Sequence, residues 1–392
     1  MQGGLYGNAL QAALFVGHLQ IVQSLLDKGA DVNMQGGHFG NALQAASFGG
    51  HLEIVQTLLD RGADVNMQGG YLGNALQAAS TEGHLEIVQI LLDKGADVNM
   101  KGGYYGNALQ AASYRGHLKI VQILLDKGAD ANMQGGLYGN ALQAASTKGH
   151  LKIVQILLDK GADVNMQGGE YGNALQAASY EGHLEIVQIL LDKGADANMQ
   201  GGLYGNALQA ALFVGHLQIV QSLLDKGADV NMQGGHFGNA LQAASFGGHL
   251  QIVQTLLDRG ADVNMQGGYL GNALQAASIR GYLEVMQLLL DKGANINAQG
   301  GEYGNALQAA SAEGHLQIVQ MLLDKGADVN MQGGHFGNAL QAASTEGHLE
   351  IVQLLNLNGA KKLCRMRSTS TNLRETNEIT SALGSSVNAL TH

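Results

Sequence analysis

Apolar residues fall in two short clusters that recur together every 33 residues along most of the chain. In the first unit one cluster is Leu10 with Ala12 and Ala13. The other is Leu19, Val22, Leu25 and Leu26, which share one face at helical spacing. Each unit reads approximately MQGGxYGNALQAASxxGHLxIVQxLLDKGADVN and predicts two helices separated by Gly-His, followed by a glycine-rich connector. Asn8 and Gln11 stand at N-cap spacing ahead of the first helix, an Asn version of the capping box. Gly17 and Gly29 stand where helices end in a left-handed residue. Gly36-Gly37 supplies the chain reversal, so a projecting finger is expected between units.

Units begin at Met1, Met34, Met67, Met100, Met133, Met166, Met199, Met232, Met265, Ala298 and Met331, eleven in all without a slip. A unit of this size cannot bury its apolar face alone, so stacking must supply the core. The expected fold is an all-α solenoid over residues 1–360, about 100 Å long if helices pack about 10 Å apart. Regularity is lost at Ala360-Lys361-Lys362, and 361–392 reads as a Ser/Thr/Asn-rich, low-order tail.

Composition narrows the function. The formal charge is −11, and the tail carries five basic residues against two Glu, so the repeats themselves are at −14. Nucleic acid is therefore not the expected partner, because phosphate neutralisation needs clustered Lys and Arg. Cys364 stands alone and no Asn-x-Ser/Thr site occurs, which suits an intracellular, cytoplasmic protein. No apolar run reaches membrane-spanning length. The chain has no phosphate-binding loop, no His-Glu-x-x-His and no zinc-spaced Cys pair, so neither enzyme activity nor a cofactor, metal or small-molecule substrate is expected.

Ten histidines recur in the Gly-His turn, from His18 to His348. Rings one repeat apart are about 10 Å from each other, too far to share a metal, so they are expected to satisfy loop backbone groups. Asp31, Asp64 and Asp97 form an acidic ladder best read as local turn hydrogen bonds. Backbone amides of the Gly-Gly tips are a weak anion-binding candidate, since Lys101 is the only basic residue beside them.

The recurring GNALQAAS-x-x-GHLEIVQ-x-LLDKGADVN segment resembles the ankyrin repeat over about residues 1 to 360. Asn8-Ala9-Leu10-Gln11 stands where that family has Thr-Pro-Leu-His, and the paired glycines stand in the finger. This Gly-Gly-x-Tyr-Gly-Asn-Ala-Leu-Gln dialect looks like that of filamentous-fungal arrays attached to nucleotide-binding NACHT modules. The resemblance implies a non-enzymatic scaffold that binds protein partners. As an alternative it implies the ligand-sensing arm of a larger NACHT-type receptor. Residues 1–33 are identical to 199–231, so the first unit carries no sign of a cap, and the chain is expected to be part of a longer protein.

Differences between units concentrate at the two fingertip residues, the end of the first helix and two second-helix positions, which suggests a variable surface. Of 19 Phe and Tyr, twelve lie at fingertips and six at first-helix ends. Aromatic side chains tend to dominate interface energetics. The expected partner-contact residues are therefore the tips Leu5, Tyr6, His38, Phe39, Tyr71, Tyr104, Leu203, Tyr204, His236 and Phe237, with Phe15, Val16, Phe48, Tyr114, Tyr180, Phe213, Val214 and Phe246 at first-helix ends. Leu14-Phe15-Val16 beside Phe48, and Leu212-Phe213-Val214 beside Phe246, predict two equivalent apolar patches six repeats apart.

Overall fold

The structure is a computed structural model that describes residues 9–15 (backbone only at 9, 12 and 15), 17–235 and 237–361. The chain divides into two units, Met1–Ala360 and Lys361–His392. The first is an array of eleven helix pairs, 22 helices among the described residues. In unit 2 the pair is Ala42–Phe48 and Leu52–Asp60, and in unit 5 it is Ala141–Thr147 and Leu151–Asp159.

Each first helix from unit 2 onward starts at an extended Asn whose side chain accepts the backbone N–H three residues on, as Asn41 does from Gln44 at 2.9 Å. The reciprocal bond from the Gln side chain closes in units 2 and 5. First helices pack closely on one another because their facing residues are small, with Ala45 and Ala46 fully buried. In the second helix Ile54, Val55 and Leu58 point inward, while Glu53, Gln56 and Asp60 face solvent.

Burial depends on the neighbouring unit as much as on sequence. Ile21 of unit 1 is 49% exposed, whereas Ile219 of the identical unit 7 is 2% exposed beneath unit 6. Nearest-neighbour stacking is thus the core-forming step.

Polar ladders join the units at four levels. The buried Gln143 amide donates to the carbonyls of Met166, Gly168 and Gly172 at 3.2, 3.1 and 3.0 Å. Asn99 accepts the Asp130 N–H at 2.8 Å and donates to Gly128 O at 3.1 Å, while Asp97 accepts the Asn99 N–H at 2.9 Å. The Asp ladder is thus made of turn bonds, as expected. Lys160 reaches Asp126 of the preceding unit at 2.9 Å on the exposed side.

The fourth ladder uses the Gly-His turn. His183 Nε2 donates to Thr147 O of the preceding unit at 3.2 Å, and equivalent bonds join His84 to Phe48 O and His117 to Thr81 O. Each ring lies where the preceding turn has glycine. A Cβ on Gly149 (φ +75°) would sit 2.7 Å from the His183 ring, whereas one on Gly161 (φ +85°) would meet nothing within 4 Å. Gly161→Ala should therefore cost only the left-handed penalty of about 1–2 kcal/mol. Gly149→Ala should cost about 2–4 kcal/mol, because it also displaces the histidine and its bond. Equal losses in denaturant titrations of the two variants would show that the ring contact contributes nothing.

Candidate partner-binding surface

The fingers stack backbone on backbone. Gly69 N–H donates to Gly73 O at 2.9 Å to close one finger. Gly70 (φ +60°) lies so close to the preceding finger that a Cβ would come within 2.6 Å of His38 O and Gly40 N. The same pattern becomes a two-residue antiparallel ladder at Gln233–Gly234 and Gly238–Asn239. Tip amides are consumed in this stacking: Tyr71 donates to His38 O, Tyr104 to Tyr71 O and Leu137 to Tyr104 O, at 3.0–3.2 Å. These first-tip amides are not free to hold an anion.

The two tip positions have different fates. First-tip side chains face solvent, with Tyr71 44% and Leu203 49% exposed, and His38 is exposed as well. Their rings stack along the array, His38 on Tyr71 at 5.4 Å and Tyr71 on Tyr104 at 5.0 Å. Second-tip side chains turn inward and alternate with the first-helix ends in a ring ladder. From Tyr171 the ladder passes through Tyr180, Tyr204, Phe213 and Phe237 to Phe246, with centroids 4.5–5.7 Å apart. A shorter ladder links Tyr105, Tyr114 and Tyr138, with Tyr114 and Tyr138 at 4.3 Å.

This geometry corrects several sequence expectations. Phe39 and Phe237 are 7% and 6% exposed and belong to the core. They shape the surface without presenting a ring to a partner. Phe48, Tyr114, Tyr180, Tyr204, Phe213 and Phe246 are half-buried ladder members, and Tyr104 is half-buried at the first tip. Of the triplet Leu212-Phe213-Val214, Leu212 is fully buried and only Val214, 40% exposed, stands free. The Phe246 ring is covered by the Arg280 guanidinium at 5.0 Å. Leu14 is fully buried too, so neither expected apolar patch is a continuous exposed surface. Leu5, Tyr6, Val16, His236 and the Phe15 side chain lie outside the described residues.

Variation at the end of the first helix is thus partly variation of packing. Thr81 and Thr147 fill the same slot as the rings, at 2% and 4% exposure, each bonding the carbonyl four residues back. The second residue of the second helix is exposed in every described unit, and the first tip and the residue just before the Gly-His turn are exposed in most, with Tyr104, Glu82 and Glu181 half-buried.

Burial among neighbouring rings pushes the hydroxyls of Tyr138 and Tyr204 far above the usual tyrosine range, while partial desolvation and the nearby Glu302 carboxylate push that of Tyr269 up to about 12. These groups stay protonated, and the Tyr171 hydroxyl donates to Glu181 at 3.0 Å. Burial also holds the His150 imidazole below its ordinary value. Among the described residues no three His, Cys, Asp or Glu are grouped so as to hold a metal. No described helix is long and apolar enough to cross a membrane.

The model for ankyrin repeats in three copies matches nine overlapping windows, running from residues 9–102 to 274–366. The chain belongs to the ankyrin repeat family. Among solved structures, this ankyrin array is similar to the crystal structure of the human ASB11 ankyrin repeat domain. Identity is 26% over 57% of this chain and 99% of that chain, with a TM-score of 0.49. No curated protein matches the chain. Ankyrin repeats are generally protein–protein interaction modules.

Proposed function

We propose that this ankyrin array is a non-enzymatic scaffold that binds a protein partner inside the cell through its exposed first-tip residues and first-helix ends. The supporting observation is the contrast between positions within one chain. The alanine, leucine and polar-ladder positions barely change from unit to unit, while the exposed tips carry His38, Tyr71, Leu137, Leu203 and Tyr269 in turn. Exposed aromatic and aliphatic side chains on a rigid, hydrogen-bonded finger lose little entropy when covered. A narrower form of the proposal, in which the array senses ligands for a larger nucleotide-binding receptor, rests on the fungal-type repeat dialect alone.

Leu203→Asp combined with Val214→Asp should weaken capture of the partner about ten-fold or more, while leaving the melting temperature nearly unchanged. Gln221→Asp, on the exposed side of the second helix in the same unit, should have little effect. Competition between the variant and unmodified chains for the captured partner measures this. Equal weakening by Gln221→Asp would remove the tips from the contact surface.

A further inference from the structure

The sign of charge along the turn edge is patterned by unit. Two variable positions flank each Gly-His turn, one at the end of the first helix, half-buried at Glu82 and Glu181 and exposed at Arg115 and Lys148, and one exposed at the second residue of the second helix. In unit 3 they are Glu82 and Glu86, in unit 4 Arg115 and Lys119, in unit 5 Lys148 and Lys152, and in unit 6 Glu181 and Glu185. Across these four units both positions switch sign together, giving acidic, basic, basic, acidic, whereas unit 9 pairs Arg280 with Glu284. Residues 100–165 hold seven Lys and Arg against four Asp, whereas unit 3 holds one Lys against four acids and unit 6 one Lys against five.

Much of the positive charge in units 4 and 5 is uncommitted. Lys127 and Lys160 are tied to Asp93 and Asp126 at 3.3 and 2.9 Å, and Arg115 reaches Glu82 at 3.3 Å. Lys119, Lys148 and Lys152 are exposed and, among the described residues, make no ion pair. Lys148 instead sits over the Tyr114 ring at 4.9 Å. Lys119 also borders an open groove whose apolar lining includes Leu85, Ile123 and Ile156.

We propose that units 4 and 5 bind a short acidic segment of a partner protein. This deepens the scaffold reading and rests on it. Units about 10 Å apart give a positive stretch of about 20 Å, which an extended chain at about 3.3 Å per residue spans with about six residues. The acidic units on either side repel a longer run of negative charge and favour basic residues at both ends of the ligand. The same flanks disfavour a nucleic acid strand, whose charge does not change sign along its length.

Two synthetic peptides of the same composition and zero net side-chain charge separate this pattern from non-specific attraction. One has three Lys, six Glu and three Lys; the other has three Glu, six Lys and three Glu. Fluorescence anisotropy with the full chain at low salt should show the Glu-centred peptide binding about ten-fold or more tightly. The preference should shrink as added salt screens it. It should vanish or reverse in Lys119→Glu/Lys148→Glu/Lys152→Glu, and Lys119→Gln/Lys152→Gln should weaken it with less change in surface charge. Equal affinity for both peptides, or a preference unchanged by these variants, overturns the proposal. So does a single-stranded oligothymidine that binds more tightly than the Glu-centred peptide and is lost in the triple variant. If the peptides fail while Leu203→Asp/Val214→Asp still abolishes partner capture, only the acidic-ligand inference falls; if those tip substitutions also leave capture intact, the scaffold surface falls with it.

Discussion

Replacing Phe237 by Ala should lower the stability of the array by about 3–5 kcal/mol, the range for deleting a buried aromatic ring. The ring is 6% exposed and lies between Phe213 at 4.8 Å and Phe246 at 5.7 Å. Its loss opens the ladder where the finger of unit 8 meets the first helix of unit 7. The helix that follows, with Ala240 and Ala243 buried, is held at its start by Asn239 capping Gln242 at 2.9 Å and so cannot shift freely to fill the space. Phe336 is the internal comparison, since it occupies the same tip position but is only half-buried and has Tyr303 as a stacking neighbour at 6.2 Å. Phe336→Ala should cost about 1–2 kcal/mol, in keeping with the smaller area covered. Denaturant unfolding of both variants decides the matter: a loss for Phe237→Ala no greater than for Phe336→Ala would mean that the ladder does not hold the fingers.

That contrast shows how far the sequence could be read. The period, the two helices per unit, the Asn41 cap and the left-handed glycines depend on contacts a few residues apart, and all were legible. The structural role of the histidines was legible from spacing, although their acceptors lie 36 residues back. What the sequence concealed was which variable residues face water. Tyr114 and Thr147 occupy equivalent positions, and variation between a ring and a small hydroxyl resembles surface drift. In the folded array Tyr138 closes over Tyr114 at 4.3 Å, while Thr147 turns its hydroxyl onto its own helix. The slot is internal, and its occupant must suit the tip beside it. The burial of Phe39 and Phe237 is hidden from the sequence for the same reason: it comes from neighbouring elements. The basic pair of units between acidic ones at the turn edge, by contrast, needs only a comparison of sign from unit to unit.

The polar ladders were the least legible feature, and Gln143 carries the largest expected effect among them. Sequence spacing identifies this residue as half of a capping box, and it does accept the Asn140 N–H at 3.0 Å. Its other end joins two units, for its amide is the donor to Met166 O and Gly168 O and a second donor to Gly172 O, which Gly168 N–H already reaches at 2.8 Å. Gln143 is 3% exposed, so water has little access to replace it. Gln143→Leu keeps much of the volume but removes one of the two acceptors of the Asn140 N–H, which also reaches Tyr138 O at 3.0 Å, and leaves two carbonyls without this donor. Each unmet buried group costs about 1–3 kcal/mol, and a total loss of about 3–5 kcal/mol is expected. Gln134→Ala is the matched control, because the Gln134 bond to Gln167 O at 2.9 Å is exposed and solvent can substitute; its loss should stay below about 1 kcal/mol. The damage in Gln143→Leu falls on the interface between units 5 and 6 and on no other. In an array whose stability is a sum of unit and nearest-neighbour terms, weakening one interface uncouples the two sides. Unfolding followed by circular dichroism should then broaden or separate into two transitions, while Phe336→Ala, close to the array's end, shifts the midpoint without splitting it. A single sharp transition for Gln143→Leu at the unmodified midpoint would show that the buried amide is dispensable.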